Sequence, residues 1–153
     1  MSCGKVFVTA PHQGGSVYQW TLNGLAGNVA SFSRVALPST ATSSYGGMGT
    51  GVSVSAMPVG NNCDNLYVAA GSGTGFLLLN SSIPYGSVSL FNFNGNNWQT
   101  EEAQLLDANG VQPNAGFGRA VSLNSNRRAI FIGAPSHNMN GNSSQGKVQM
   151  RFF

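Results

Sequence analysis

Residues 116–153 read GFGRAVSLNSNRRAIFIGAPSHNMNGNSSQGKVQMRFF. Two short runs in this stretch, Ala120–Leu123 and Ile130–Ile132, contain the apolar and β-branched residues that favour strands, and Gly, Asn and Pro residues bound them. The pattern predicts a strand, a tight turn, a second strand ending in Gly-Ala-Pro, a polar loop and a third strand. Such a unit cannot bury both of its faces alone.

The rest of the chain repeats this plan. Asn-Gly turns at Asn23-Gly24 and Asn94-Gly95 precede two further segments, which are predicted to be fourth strands. The predicted strands of the first repeat are 5–11, 15–20 and 29–37, and those of the second are 47–55, 65–71, 86–93 and 98–106. Because repeated meanders need neighbours on both faces, the repetition predicts stacked sheets, and radial stacking makes each unit a propeller blade.

The fold prediction is therefore all-β, with one propeller portion over residues 1–153. Its blade-like units are 4–37 (strands two to four), 47–106 (strands one to four) and 116–153 (strands one to three). Almost no helix is expected, because apolar residues nowhere recur at helical spacing for three turns. The units amount to an incomplete β-propeller of about two and a half to three antiparallel four-stranded blades, whereas closed rings have about four to eight.

An incomplete ring leaves apolar faces without neighbours. We expect open faces at Val6–Val8 at one end and at Phe131 and Ile132 at the other, with the fourth strand of the last unit missing after Phe153. A soluble monomer with two open apolar faces should aggregate. We therefore expect the chain to assemble with copies of itself or with other chains, or to be a segment of a longer polypeptide.

Three motifs of the last repeat resemble the FG-GAP repeat of the integrin-α-type β-propeller family. They are Phe117-Gly118, the run that closes in Ile132–Pro135, and Gly146–Val148. The last repeat matches well and the first two match in part, since Met48 stands where the family has Phe and the second repeat lacks the Ala-Pro ending. The resemblance implies loops that bind protein ligands on one propeller face, and a location outside the cell or at a particle or cell surface.

The resemblance also raises the question of calcium, which the family often binds in an Asp-rich loop between the first two strands of a blade. The matching loops here, Met57–Asn65 and Asn124–Arg128, contain one Asp and no Glu. Calcium needs several hard oxygen ligands, and a loop with Arg127 and Arg128 would repel it. We expect no metal and no cofactor, and we expect Asp64 to make a local turn hydrogen bond.

Charge is scarce, with four acidic residues against seven Lys or Arg and a formal charge of +3. The cations are spread along the chain, and the adjacent pair Arg127-Arg128 is expected at a solvated turn, so nucleic acid is not a predicted partner. No apolar run reaches the roughly 18 residues of a membrane span, and the segment Met1–Phe7 lacks a signal-peptide layout. Cys3 and Cys63 occupy equivalent positions in neighbouring repeats about 10 Å apart, which favours free thiols.

Catalytic groups are not apparent. No Ser has a defined base and orienting group, and the glycine-rich run Gly71–Gly75 lacks the following helix and the Lys of a phosphate loop. His12 and His137 follow the Ala-Pro corners of the first and last repeats, and we expect both to be exposed in loops. No enzyme activity is therefore expected.

Protein binding is the leading hypothesis, and it is placed on loops. The loop between Gly71 and Tyr85 carries four consecutive large apolar residues, for which local packing and partner contact are equally good explanations. The candidate partner-binding residues are Phe76, Leu77, Leu78, Leu79, His12 and His137. Asn80 and Asn142 begin glycosylation sequons, which matter only on a secretory route.

The leading hypothesis is a non-enzymatic structural or adhesion-type module that completes its propeller, or buries its open blade faces, in a larger assembly. The alternative is a carbohydrate-binding propeller formed by oligomerisation, with Tyr18, Trp20 and Trp98 as an aromatic platform. Packing of Trp20 and Trp98 between blades, with each ring nitrogen reaching a backbone carbonyl, competes with that platform. A third possibility is a building block of a virion or extracellular surface assembly.

Overall fold

The computed structural model describes residues 5–10, 16–22, 32–36, 53–59, 62–73, 85–94, 96–108, 110, 112–124 and 128–153. These residues form ten β-strands, and none of them is helical, so the all-β prediction is confirmed for the described part of the chain. The strands are β1 (Lys5–Ala10), β2 (Ser16–Leu22), β3 (Phe32–Ala36), β4 (Ser53–Val59), β5 (Asn62–Ser72), β6 (Ser87–Asn94), β7 (Trp98–Leu105), β8 (Ala120–Asn124), β9 (Ala129–Ala134) and β10 (Lys147–Phe152).

The strands make three antiparallel meanders, in which each strand pairs with the next along the chain. Sheet one has the order β1-β2-β3, sheet two β4-β5-β6-β7 and sheet three β8-β9-β10. Consecutive strands can pair in this way because antiparallel neighbours need no crossover connection. Whether the sheets belong to a propeller ring stays a prediction.

Sheet two lies between the other two sheets. Leu90 and Phe91 point to opposite faces of β6, and both are fully buried. Sheet three covers the Leu90 face, where residues of β9 join the same core cluster. Sheet one lies on the other face, because Trp98, which pairs with Phe93 on the Phe91 side, donates a hydrogen bond to Gln19 of β2.

The core between sheets two and three comes from alternate residues of their strands. β9 points Ile130, Ile132 and Ala134 inward, and each is at most 1% exposed. They meet a set of apolar side chains from sheet two and from the connection before β8, namely Tyr67, Ala69, Val88, Leu90, Leu105 and Phe117. The expectation that Ile132 lies on an open face is therefore wrong, because the period-two alternation of β9 turns it into the core.

The Phe-Gly motif locks the start of sheet three to β6. Phe117 is 2% exposed in the core, and its backbone bridges to Gly86, just before β6. Gly118 has a φ of 87°, and a Cβ at that position would collide with the carbonyl oxygen of Ser87. Only glycine combines this left-handed backbone with so close an approach.

The structure moves one predicted boundary. The stretch Met57–Asn65, expected to be a loop, is almost entirely strand, because β4 and β5 pair as far as Val59 and Asn62. Asp64, expected in a turn, lies within β5. The resemblance implied a loop here, but pairing between β4 and β5 extends both strands into this stretch, since pairing with a neighbouring strand overrides local preferences.

Candidate protein-binding site

The last strand of sheet three presents its apolar residues to solvent. Val148, Met150 and Phe152 of β10 are 71%, 49% and 65% exposed, while the residues between them are partly buried. Phe131 of β9 lies directly opposite Met150 and is 37% exposed. We call Phe131, Val148, Met150 and Phe152 the outer face. A strand with one buried side normally turns its apolar residues inward, so β10 reverses the usual arrangement.

The remainder of this sheet surface is small and uncharged. In the strand register Phe131 also lies opposite Ser122, and Val148 shares a row with Gly133 and Ala120. β8 and β9 contain no charged residue, and the two cations of β10 belong to its other side. The outer face is therefore a continuous apolar surface with no charge to keep it in water.

The inner side of β10 contacts a buried carboxylate. Lys147 Nζ donates to Asp107 Oδ1 at 2.6 Å, and the two side chains are 13% and 3% exposed. With its amide oriented to satisfy both neighbours, Gln149 donates to the same oxygen at 3.1 Å and accepts from Arg151 Nε at 2.8 Å. Arg151 Nη2 also donates to the Leu106 carbonyl at 2.6 Å. These contacts bind β10 to the connection that follows β7.

His137 completes this group, which we call the Asp107 cluster (Asp107, His137, Lys147, Gln149 and Arg151). Its Nδ1 lies 3.4 Å from Asp107 Oδ2, and its Nε2 lies 3.4 Å from Gln112 Nε2. The residue is only 6% exposed, so the expectation of an exposed loop histidine is wrong. The physical reason is the turn after β9: the His137 backbone bonds to Ala134 and Gly146, and this places the ring between Asp107 and Gln112.

The chemistry open to the Asp107 cluster is limited. A carboxylate beside an imidazole can orient a general base, but catalysis also needs a nucleophile or a substrate within reach of the other ring nitrogen. Gln112 lies against that nitrogen instead. Among the described residues no group of three or more His, Cys, Asp or Glu can hold a metal ion. The geometry of the cluster favours a role in holding β10 in place.

The loop between β9 and β10 is held at several points. Gln112 accepts from the Asn138 N–H at 2.8 Å and donates to the Asn138 carbonyl at 3.0 Å, so it pairs with this backbone as a strand would. Met139 and Asn142 exchange backbone hydrogen bonds of 3.1 and 2.9 Å around Asn140-Gly141. Asn140 and Gly141 have φ of 51° and 81°, as in the tight hairpin turns that Asn-Gly favours. Asn142, the asparagine of the second glycosylation sequon, is exposed at this turn.

A second contact joins sheets two and three near the end of β10. Arg128 Nη2 donates to the Tyr67 hydroxyl at 2.9 Å. Its guanidinium also lies 5.5 Å from the Tyr67 ring centre and 5.8 Å from that of Phe153, and the two rings meet edge to face at 4.9 Å. Arg128, expected only at a solvated corner, is exposed yet also makes this bridge.

Trp98 takes part in packing between sheets. Its indole N–H donates to Gln19 Oε1 at 2.9 Å, and its ring lies 5.0 Å from that of Phe93. The prediction that Trp98 packs between neighbouring sheets is correct, but the acceptor is a side-chain amide and not a backbone carbonyl. Gln19 supplies it because its side chain is itself buried, with the residue 4% exposed, and needs a polar partner.

Several predicted site residues lie outside the described residues. These are His12, Phe76, Leu77, Leu78, Leu79 and Asn80, together with Cys3. Of the predicted partner-binding residues, the structure places only His137, and it places it in the Asp107 cluster. The sequence reasoning predicted an open face at Phe131, but it missed the β10 residues of the outer face and the Asp107 cluster. A signal for the first was present in the strict alternation of KVQMRF in β10.

The chain matches no protein-family model, no curated protein and no solved structure. Membership of the FG-GAP family therefore stays a prediction from the motifs. None of the described residues belongs to a helix long and apolar enough to cross a membrane.

Proposed function

We propose that this chain is a non-enzymatic protein-binding module that buries its outer face in a larger assembly. The observation that carries the proposal is the exposure of Val148, Met150 and Phe152, at 71%, 49% and 65%, on a strand whose charged residues point inward. Exposed apolar surface of this kind, rimmed by polar residues, is typical of interaction sites. Sheet two has a neighbouring sheet on each of its faces. Assembly would give sheet three such a neighbour on its outer face.

The size of the outer face is consistent with the core of an interface. Its four side chains expose roughly 400 Å², taking about 150–250 Å² for a large aromatic side chain. A stable interface buries about 800 Å² on each partner. The outer face thus amounts to about half of one partner's share, and surrounding polar surface supplies the rim that such interfaces have.

The carbohydrate-binding alternative gains no support from Trp98, one of the three aromatic residues expected to form the sugar platform. A sugar platform needs an open ring face and polar groups free to bind hydroxyls. Trp98 instead packs on Phe93 and gives its N–H to Gln19. Protein binding through the outer face is the better account.

The test is the mass of the chain in solution. The wild type is compared with a triple variant, Val148→Thr, Met150→Thr and Phe152→Thr, which keeps β-propensity while removing the apolar surface. A matched control changes Gln99→Thr and Glu101→Thr, at exposed positions of β7. Analytical ultracentrifugation over micromolar to about millimolar concentrations is expected to show association of the wild type and of the control, but not of the triple variant.

Binding of the apolar dye ANS provides a second measurement of the same surface. The wild type at low concentration is expected to bind more dye than the triple variant does. A wild-type chain that stays monomeric over the whole range, and that binds no more dye than the triple variant, would contradict the proposal. Loss of association in the β7 control would contradict the assignment to the outer face.

A further inference from the structure

We propose that the edge of β10 that faces away from β9 accepts an extended, acidic strand from a partner protein, which extends sheet three to four strands. This inference rests on the proposed function, because the β10 edge lies beside the outer face and would join the same assembly. It adds a second mode of contact, main-chain pairing along a sheet edge, to the burial of apolar side chains.

β10 is an edge strand of sheet three. β10 pairs with β9 along its whole length, from Lys147 opposite Ala134 to Phe152 opposite Ala129, and within the described residues it pairs with no other strand. The other edge of the sheet, β8, lies against β4 and β5 of sheet two. An edge strand directs alternate N–H and C=O groups away from its own sheet, where another strand can bond to them.

Sheet two shows what can occupy that position. It has the same antiparallel order as sheet three, and β6, which corresponds to β10, carries β7 on its outer edge. In that pair Phe93 lies opposite Trp98 and Val88 opposite Leu105, so apolar side chains meet across the two strands. β7 itself contains Glu101 and Glu102. The fourth strand of the complete sheet is thus partly apolar and acidic.

β10 is regular and firmly held. Its pairing with β9 shows no register shift, and it contains no proline. Natural edge strands often use bulges, prolines or inward-pointing charges to prevent pairing with other chains. The inward charges of β10 are Lys147 and Arg151, and they are already bound to Asp107 and to the Leu106 carbonyl. Adding a strand therefore leaves neither cation newly unpaired.

Charge determines what the added strand should contain. Lys147 and Arg151 share the inner side of β10 with one carboxylate, Asp107, so this side carries an excess of positive charge. Opposite charges facing each other across paired strands stabilise a sheet, and like charges destabilise it. A strand with acidic residues opposite Lys147 and Arg151, and with apolar residues opposite the outer face, fits best. A second copy of β10 fits less well because it brings two further cations to the same side.

The experiment uses two synthetic peptides with fluorescent labels. TVEVTVET places Val opposite Val148, Met150 and Phe152, and Glu opposite Lys147 and Arg151, when it pairs antiparallel to β10. TVKVTVKT has the same shape with Lys in place of Glu. Fluorescence anisotropy with dilute wild-type protein is expected to show binding of the acidic peptide roughly tenfold tighter than that of the basic one, because two cross-strand pairs change from unlike to like charge.

Hydrogen exchange of the β10 amides locates the contact. Alternate amides already bonded to β9 should exchange slowly in both states, and the amides between them should slow down only when TVEVTVET is bound. Binding of neither peptide, equal binding of both, or unchanged exchange in β10 would each overturn the inference. Protection of the same amides on self-association, without peptide, would identify a second copy as the occupant and would also overturn it.

These outcomes are separable from the test of the proposed function. That test measures the mass of the triple variant, whose substitutions change side chains of the outer face but leave the β10 backbone able to pair. Association that depends on the outer face, combined with β10 amides that no peptide protects, would leave the proposed function standing and remove only the strand-accepting edge.

Discussion

Substitution of Lys147 by Met is expected to lower the free energy of unfolding by about 3 kcal/mol. The Lys147 Nζ to Asp107 Oδ1 distance is 2.6 Å, and the two side chains are 13% and 3% exposed, so the charges are largely removed from water. Removing one partner of a buried ion pair costs about 3–5 kcal/mol, because the other charge stays buried. The lower value applies here, since Asp107 keeps His137 at 3.4 Å and Gln149 at 3.1 Å.

A double-mutant cycle separates the pair from its surroundings. Asp107→Leu should destabilise by a similar amount, as it leaves Lys147 without its carboxylate. The double variant Asp107→Leu/Lys147→Met leaves no buried charge of this pair, so its loss should be smaller than the sum of the two single losses by about 2 kcal/mol. Glu101→Gln is the control, because Glu101 is exposed on β7 and its change should stay within about 0.5 kcal/mol.

Urea unfolding followed by circular dichroism measures these free energies, and thermal unfolding checks them. In a chain of this size about 1 kcal/mol corresponds to roughly 2–4 °C in Tm, so Lys147→Met should lower Tm by roughly 6–12 °C. Two results would refute the reasoning. A loss below about 1 kcal/mol is what an exposed ion pair gives, and strictly additive single changes would mean that Lys147 and Asp107 do not interact.

Two further predictions concern the contacts between sheets two and three. Gly118→Ala should destabilise more than Gly110→Ala by about 1–3 kcal/mol in urea unfolding: both glycines have positive φ, at 87° and 99°, but only at Gly118 would a Cβ meet a backbone oxygen. Equal losses of stability would show that the strain of a positive φ, and not the contact with Ser87, determines the destabilisation. Arg128→Met should cost about 1–2 kcal/mol by removing a hydrogen bond and two ring contacts, and Tyr67→Phe about 1 kcal/mol by removing only the hydrogen bond. Equal losses for Arg128→Met and Tyr67→Phe would assign the whole effect to the hydroxyl.

Much of the strand pattern could be predicted from local sequence. The runs around Ile130 and Val88 are short, apolar and bounded by Gly, Asn or Pro, and each forms a strand close to its expected position. The Phe-Gly motif could be recognised, although its physical reason needs the structure. Position 118 needs glycine because a Cβ there would collide with the carbonyl oxygen of Ser87, 31 residues earlier in the chain. No local sequence pattern predicts that contact.

The candidate site could not be predicted in the same way. The residues KVQMRF alternate with a period of two, which indicates a strand with two different sides but not which side is buried. Composition alone would place Val148, Met150 and Phe152 inside. The carboxylate that draws Lys147 inward lies 40 residues away in sequence. Contacts of this separation depend on how the sheets pack, which alternation within one strand does not specify.

The orientation of β10 follows from its neighbour and connects the fold to the proposed assembly. β9 buries Ile130 and Ile132, and the register with β9 places Arg151 and Gln149 opposite them on the same side. A slip by one residue would turn Val148, Met150 and Phe152 inward, but it would also move Lys147 away from Asp107 and remove the cation that pairs with this buried carboxylate. The isolated chain thus forgoes roughly 10 kcal/mol of apolar burial on about 400 Å² of surface. A partner on the outer face would recover part of that energy without disturbing the Asp107 cluster, which is the physical reason to expect assembly through this face.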